Sequence, residues 1–320
     1  MATAQGSNAQ LIFGEESTFK TMPGTPAGTV IPFLNESLGQ KTPLGRSEII
    51  TSNRNPVQPF QMERSVDGNF STELTPLLGL LFKHALGTVA TTGAGPYQHI
   101  FTVGSLPTGL WVEKGFTDIS QYFQFNGCKI GSMGFSFSGR GGVAPLNIDI
   151  MGAKQTIDTS SADASPDTLS HSPFQNFEGA IEEGGSAIAI VKDVDFTIAN
   201  NLDGDQYCIG ADGERAEIPE GVVAVTGSIT ALFQSITLYN KAVNFTESSL
   251  KLTMTKGSGD GTAGNEVLEL LIPELVFEEQ VPPVSGPMGV NVTLPFQAFY
   301  DDSTEASAIQ LTLDNAVATY

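Results

Sequence analysis

The sequence predicts an all-β protein built as a duplicated domain, each half carrying one α-helix and one long loop. Three observations predict it. Apolar and polar residues alternate with period 2 in many separate segments. The 320 residues hold 35 Gly and 18 Pro, spread along the chain as turn punctuation. One strand–helix unit also occurs twice. The length fits two ordinary domains, and an apolar content of 40% is enough for a core.

Residues 66–87 (VDGNFSTELTPLLGLLFKHALG) organise the rest. Val66, Gly68, Phe70, Thr72 and Leu74 fall on one face of a strand, and Asp67, Asn69, Ser71 and Glu73 on the other. The period then changes. Thr75 is placed to cap a helix, Pro76 suits its first position, and Leu77, Leu78, Leu81 and Ala85 form an apolar stripe that Gly87 ends. Residues 225–244 (VTGSITALFQSITLYNKAVN) repeat the design. Val225, Gly227, Ile229, Ala231 and Phe233 oppose Thr226, Ser228 and Thr230; Ser235 takes the cap, and Asn244 stands where Gly87 stood. A unit that recurs after about 160 residues points to a duplicated domain rather than a short-repeat solenoid.

In chain order, residues 1–10 read as flexible, 10–14 as a short strand and 31–38 (IPFLNESL) as a strand. Residues 39–62, with Pro43, Pro56 and Pro59, form a long irregular arm. Beyond the first unit, 91–97 (TTGAGPY) is a loop, and 98–103, 109–114, 121–125 and 129–138 are strands. Trp111, the only tryptophan, reads as core or interface. After a turn at 139–142 (GRGG), 144–151 closes the first half. Residues 151–173 are rich in Ser, Thr, Asp and Pro; the linker is set at 156–173, between domains at 1–155 and 174–320. Residues 187–199 alternate cleanly, with Asp193, Asp195 and Thr197 on one face. Residues 202–221 are a second long loop, and 249–256, 267–280 and 289–300 are strands. Three further segment pairs keep the same order in both halves: IPFLNESL with VDFTIANNL, WVEKG (111–115) with TMTKG (253–257), and GVAPLNIDI (142–150) with GVNVTLPFQ (289–297).

Fifteen Lys and Arg stand against 35 Asp and Glu, a net charge of −20, and no basic residue follows Lys256. Such a surface disfavours nucleic-acid binding through basic patches, and solubility is its simplest account. Cys128 and Cys208 lack CxxC spacing and read as reduced, semi-buried thiols of a cytoplasmic protein. The N-terminus lacks the basic and apolar regions of a signal peptide, and no apolar segment approaches the ~20 residues of a membrane-spanning helix.

Catalytic chemistry finds no support. His84, His99 and His171 have no partner at metal-ligand spacing and read as ordinary core or surface histidines. GxSxG and P-loop motifs are missing. The acidic loops at Asp203-Gly204-Asp205 and Asp212-Gly213-Glu214 do not complete an EF-hand and read as solvated turns. Glu278–Glu279 and Asp301–Asp302 are adjacent, so in strands they face opposite sides and form no dyad. No enzyme, cofactor or metal is expected.

Five segments occur in order: FGEESTFKTMPGTP, the arm SEIITSNRNPVQP with Arg54 inside it, the first strand–helix unit, VEKGFTDISQYFQFNGCKIGSMGFSFS, and NNLDGD. Together, over nearly the whole chain, they resemble the major tail tube proteins of long-tailed, siphovirus-like bacteriophages. The resemblance implies tandem tail-tube-type β-sandwich or barrel domains. It implies rings whose inner sheets join into a β-barrel lumen, stacked into a tube through which DNA leaves the virion without specific binding. It further implies assembly in the host cytoplasm, and tape measure, tail terminator and distal tail proteins as partners. Two tube domains per chain lead to trimeric, pseudo-sixfold rings, with a hexamer as the alternative. The polar faces with Asp67, Asn69, Ser71, Glu73, Thr226, Ser228 and Thr230 are then candidate lumen surfaces. The arm and the second loop, with Arg46, Arg54, Asn55, Asp212 and Arg215, are candidate contacts between subunits or rings. An acidic lumen that repels phosphates would give the net charge a mechanical role. The competing readings are another β-rich phage structural protein, of baseplate or decoration type, and a carbohydrate-binding module. The latter would want a signal peptide and clustered exposed aromatics.

Overall fold

The computed structural model describes residues 3–284, 286–300 and 304–320, so Asp301 and Asp302 lie outside it. Strands dominate, with two α-helices among the described residues. The first half opens with β1 (Ala9–Glu15) and the short β2 (Thr29–Val30), β3 (Asn35–Glu36) and β4 (Gly39–Lys41). The arm is clasped at its base by β5 (Leu44–Gly45) on β6 (Phe60–Gln61). Then come β7 (Ser65–Glu73), α1 (Gly79–Leu86), the hairpin β8 (Gly87–Gly93) and β9 (Tyr97–Val103), β10 (Leu110–Phe116), β11 (Gln121–Ser138), β12 (Pro145–Gly152) and β13 (Lys154–Asp158). Past β14 (Asp167–Thr168), the second half contains β15 (Gly179–Glu183), β16 (Ser186–Ala187), β17 (Val191–Ala199), β18 (Ala224–Leu232) and α2 (Thr237–Val243). It ends with β19 (Ser248–Thr255), β20 (Val267–Phe277), β21 (Asn291–Ala298) and β22 (Gln310–Asn315).

The ladders of the two halves repeat one another. In the first, β3 lies on β7, β7 on β12, β12 on β11, β11 on β10, and β10 on β1. In the second, β17 lies on β18, β18 on β21, β21 on β20, β20 on β19, and β19 on β15. β13 on β11 and β22 on β20 extend the parallel between the halves. The match reaches single residues: Gly68 faces Ile150 as Gly227 faces Phe296. A Cβ on either glycine would come within 2.4 Å of backbone, that of Leu38 or of Asp195, so neither site admits a side chain.

The pairing of Trp111–Gly115 with TMTKG is corrected by these ladders. Leu110, opposite Cys128, corresponds to Ser248, opposite Leu275, which sets Trp111 beside Ser249 rather than Thr253. An even shift preserves alternation, so the pattern alone does not reveal it. Other expectations move as well. Of the strand placed at 31–38 only β3 forms, β4 falls in the segment expected to be irregular, and the two strands placed within 121–138 are one strand of 18 residues. A register shift between Ile130 and Ser132 lets that strand pass from one layer to the next. Thr75 does not cap α1: Leu78 is the N-cap, and the Thr75 hydroxyl is buried without a partner. Gly87 ends α1 at φ 99° as expected, whereas after α2 Asn244 stays at φ −88° and Phe245 takes the left-handed conformation at φ 51°.

Two seams join the halves. The C-terminal part of β11 pairs with β17, from Ser132↔Ala199 to Ser138↔Asp193. An unbroken antiparallel sheet therefore runs β7–β12–β11–β17–β18–β21–β20. At the second seam β22 pairs with β9, and Tyr320 packs edge-on against His99 at 4.7 Å and lies against Gly79 of α1. One face of the joined sheet is core: Phe70, Ile148, Phe135, Phe196, Ile229 and Leu294 are buried there. α1 seals the first half of it, with Phe82 at 5.8 Å from Phe101 and 6.4 Å from Phe135.

Candidate functional site

The opposite face of the joined sheet is polar. Strand alternation that buries Phe70, Ile148 and Phe196 turns their neighbours outward. Across the strands Ser71 meets Asn147, Asn147 meets Gly134, Gly134 meets Thr197, Thr197 meets Thr226, and Thr226 meets Gln297. The next row carries Ser136, Asp195, Ser228 and Pro295. A groove of about 660 Å³ lies over the middle of this face.

Its carboxylates are held by uncharged donors. The Ser132 hydroxyl donates to Asp149 at 2.6 Å, Ser138 to Asp193 at 2.8 Å, and the Gln297 amide to Glu278 at 2.8 Å; Ser136 donates to Asp195. Such bonds fix a carboxylate without removing its charge. β7, β12, β18 and β21 contain no lysine or arginine. β11 and β17 carry one lysine each, Lys129, which pairs with Glu220 at 3.5 Å, and Lys192, and Lys41 of β4 lies near Asp67 and Asp149, so the negative charge concentrates on the middle of the face.

Asp67, Asn69, Ser71 and Glu73 lie at the β7 end of this face, and Thr226, Ser228 and Thr230 further along on β18. Two of the carboxylates have a partner: Asp67 pairs with Arg215 at 2.9 Å and Glu73 with His171 at 2.9 Å. Thr230 and Thr293 share a hydrogen bond of 2.9 Å across strands. The carboxylates without an ion-pair partner among the described residues, Asp149, Asp193, Asp195 and Glu278, were not among the lumen candidates read from sequence. Alternation marks each as outward-facing, but only the ladders bring them side by side.

The loop and arm residues divide into two kinds. Arg215 is buried and committed within the subunit. Its guanidinium donates to the carbonyls of Gly204, Val66 and Gly152 at 2.8–3.0 Å as well as to Asp67, pinning the 202–221 loop to β7 and β12. Arg46, Arg54, Asn55 and Asp212 are exposed, with Ile50 on the arm and Ile209 on the loop fully bare beside them.

The remaining titratable groups are structural. His84 on α1 donates from Nε2 to Glu15 at 2.9 Å, and Lys83 also meets that carboxylate at 2.7 Å. The His84 bond and the Lys83 contacts hold the Glu15 carboxyl down at about 2 against the pull of burial, while burial pushes His84 below its ordinary value. His99 bridges Thr91 and the Val317 carbonyl, each at 2.8 Å. Cys128 is fully buried and Cys208 exposed, so neither is semi-buried. Asp203 binds the Asp205 amide at 3.0 Å, and Glu214 pairs with Lys20 at 2.7 Å. Among the described residues no group of three or more His, Cys, Asp or Glu is arranged to hold a metal, and no helix is long and apolar enough to cross a membrane.

Compared with models of known families, residues 6–298 match the one described as phage tail tube protein. No curated protein matches the chain.

Proposed function

The chain belongs to the phage tail tube protein family, and from that premise we propose that the polar face of its joined sheet lines the bore of the tail tube. Family membership makes the protein a structural component of the virion tail that assembles with itself into a stacked tube. The observation that carries the finer reading is the set of carboxylates at Asp149, Asp193 and Asp195, bonded to Ser donors on a face where β7, β12, β18 and β21 contain no lysine or arginine. Fixed negative charge repels the DNA backbone, so the polymer passes through without being held during ejection. Asp67, Asn69, Ser71, Glu73, Thr226, Ser228 and Thr230 share that face and line the same bore.

The equivalent ladders of the halves support two tube domains per chain, at 1–155 and 174–320, and hence three chains in a pseudo-sixfold ring. The arm with Arg46, Arg54 and Asn55, and the loop tip at Asp212, reach neighbouring subunits or rings. Tape measure, terminator and distal tail proteins are the further partners, and assembly takes place in the host cytoplasm. The protein carries out no catalysis. Cryo-electron microscopy of the assembled tube tests these points. Threefold rings with Asp149 and Asp195 facing the bore are expected. A neutral or basic bore, or Asp67 and Glu73 on the outer surface, refutes the lumen assignment; six chains per ring refutes the trimer.

A further inference from the structure

The two open ends of the joined sheet match each other, and the seam inside the chain shows how. At one end β3 and β4 run along β7 in a single register, from Asn35↔Ser71 to Lys41↔Ser65. That is the place β17 holds on β18, from Asp193↔Thr230 to Ala199↔Ala224. At the other end β20 is the counterpart of β11: Phe277 faces Phe296 as Ile130 faces Ile150. Glu278, whose amide bonds the Pro295 carbonyl at 2.8 Å, stands where Ser132 stands opposite Asp149. Within the chain β17 covers β11 on its outer side. Among the described residues no ladder covers 278–284, and Val281 and Val284 are 73% and 80% exposed.

We infer that residues 278–284 of one chain pair antiparallel with residues 35–41 of a second copy, in the register of the β11–β17 seam. The inference rests on the tube reading above and names the contact that closes its rings. Carrying Ser132↔Ala199 across sets Glu278 opposite Lys41, an acidic residue against an exposed basic one. Carrying Phe135↔Phe196 across sets Val281 opposite Leu38, apolar against apolar, where the internal pair stacks at 4.8 Å. α2 lies beside the donor segment, since the Tyr239 hydroxyl donates to Glu279 at 2.6 Å.

Both edges are restrained against wrong partners. Pro282 and Pro283 remove two backbone donors and shorten the donor ladder. On the receiving edge the Leu38 amide bonds the Glu36 carboxylate at 3.0 Å, its carbonyl accepts from Lys114 at 2.7 Å, and the Gln40 amide bonds Gln155 at 3.0 Å. An arriving strand exchanges these three side-chain contacts for backbone ones, so the edge resists casual pairing and yields to a partner of matching register.

Charge exchange and cross-linking test the register. Glu278→Lys is expected to abolish tubes, and Glu278→Lys combined with Lys41→Glu to restore them, both variants keeping the wild-type circular dichroism melt. On a Cys208→Ser background, Glu278→Cys with Lys41→Cys is expected to give interchain disulfides in assembled tubes, and either cysteine alone none. Tubes that form normally with Glu278→Lys and do not cross-link overturn this junction and leave the tube reading standing. A wild-type chain that forms no ring or tube, alone or in tails, overturns the tube reading and the junction with it.

Discussion

Gly227 shows how closely the strands approach at the residue scale. Its missing Cβ is the space taken by the Asp195 carbonyl, the Phe196 Cβ and the Phe296 ring, all within 2.6 Å of where that atom would sit. Gly227→Val is therefore expected to lower unfolding stability by about 2 kcal/mol or more, the cost of overpacking a filled core. Gly24→Val, at a site with nothing within 4 Å, should leave the denaturant midpoint unchanged. Glu15 and His84 set a pH dependence. Burial keeps folded His84 neutral, whereas the unfolded chain takes up its proton below about 6.5, so stability falls as the pH drops through that value. Glu15, held at about 2 when folded against 4.5 when free, contributes above pH 4.5 and loses its contribution as the pH falls toward 2. Melting temperature should thus fall on acidification in two stages, and His84→Gln should remove the first.

At the scale of elements, the 202–221 loop is held by one side chain. Arg215→Ala leaves three backbone carbonyls and Asp67 without their donor and is expected to cost about 3–5 kcal/mol, with the loop becoming protease-sensitive. Arg215→Lys should not restore it, because a single ammonium cannot reach the carbonyls the planar guanidinium spans. β7 and β18 were legible in the sequence because each buries one face and bares the other. The same alternation placed Asp193 and Asp195 on an outer face. What it does not convey is which strands lie side by side. β22 alternates as cleanly, with Leu311 and Leu313 buried, yet its partner β9 lies more than 200 residues upstream, beyond any local pattern. β8, five of whose seven residues are glycine or threonine, has five exposed residues and one half-buried residue after Gly87 and no apolar rhythm to report it. Arg215 was legible as a loop residue only; its burial depends on carbonyls contributed by β7, β12 and its own loop.

For the whole molecule, the seams matter more than the connecting segment. β11 on β17 and β9 on β22 each form a ladder of six or more residue pairs between sequence-distant halves. Protease cleavage within residues 156–173 is accordingly expected to leave the two fragments in one particle on size-exclusion chromatography; fragments that separate would show the seams to be weak. The β11–β17 seam also bears on how quickly a tail grows. Every free body added to a polymer forfeits its translational and rotational freedom, a loss of several kcal/mol each time. On the proposal of two tube units per chain, tethering them on one polypeptide makes one of every two joints intramolecular, formed at the high effective concentration of a covalent linker before the chain meets the growing end. A ring of a given number of units then needs half as many collisions, and if the junction inferred above holds, a chain that arrives already contains a correctly registered example of the joint it is about to make.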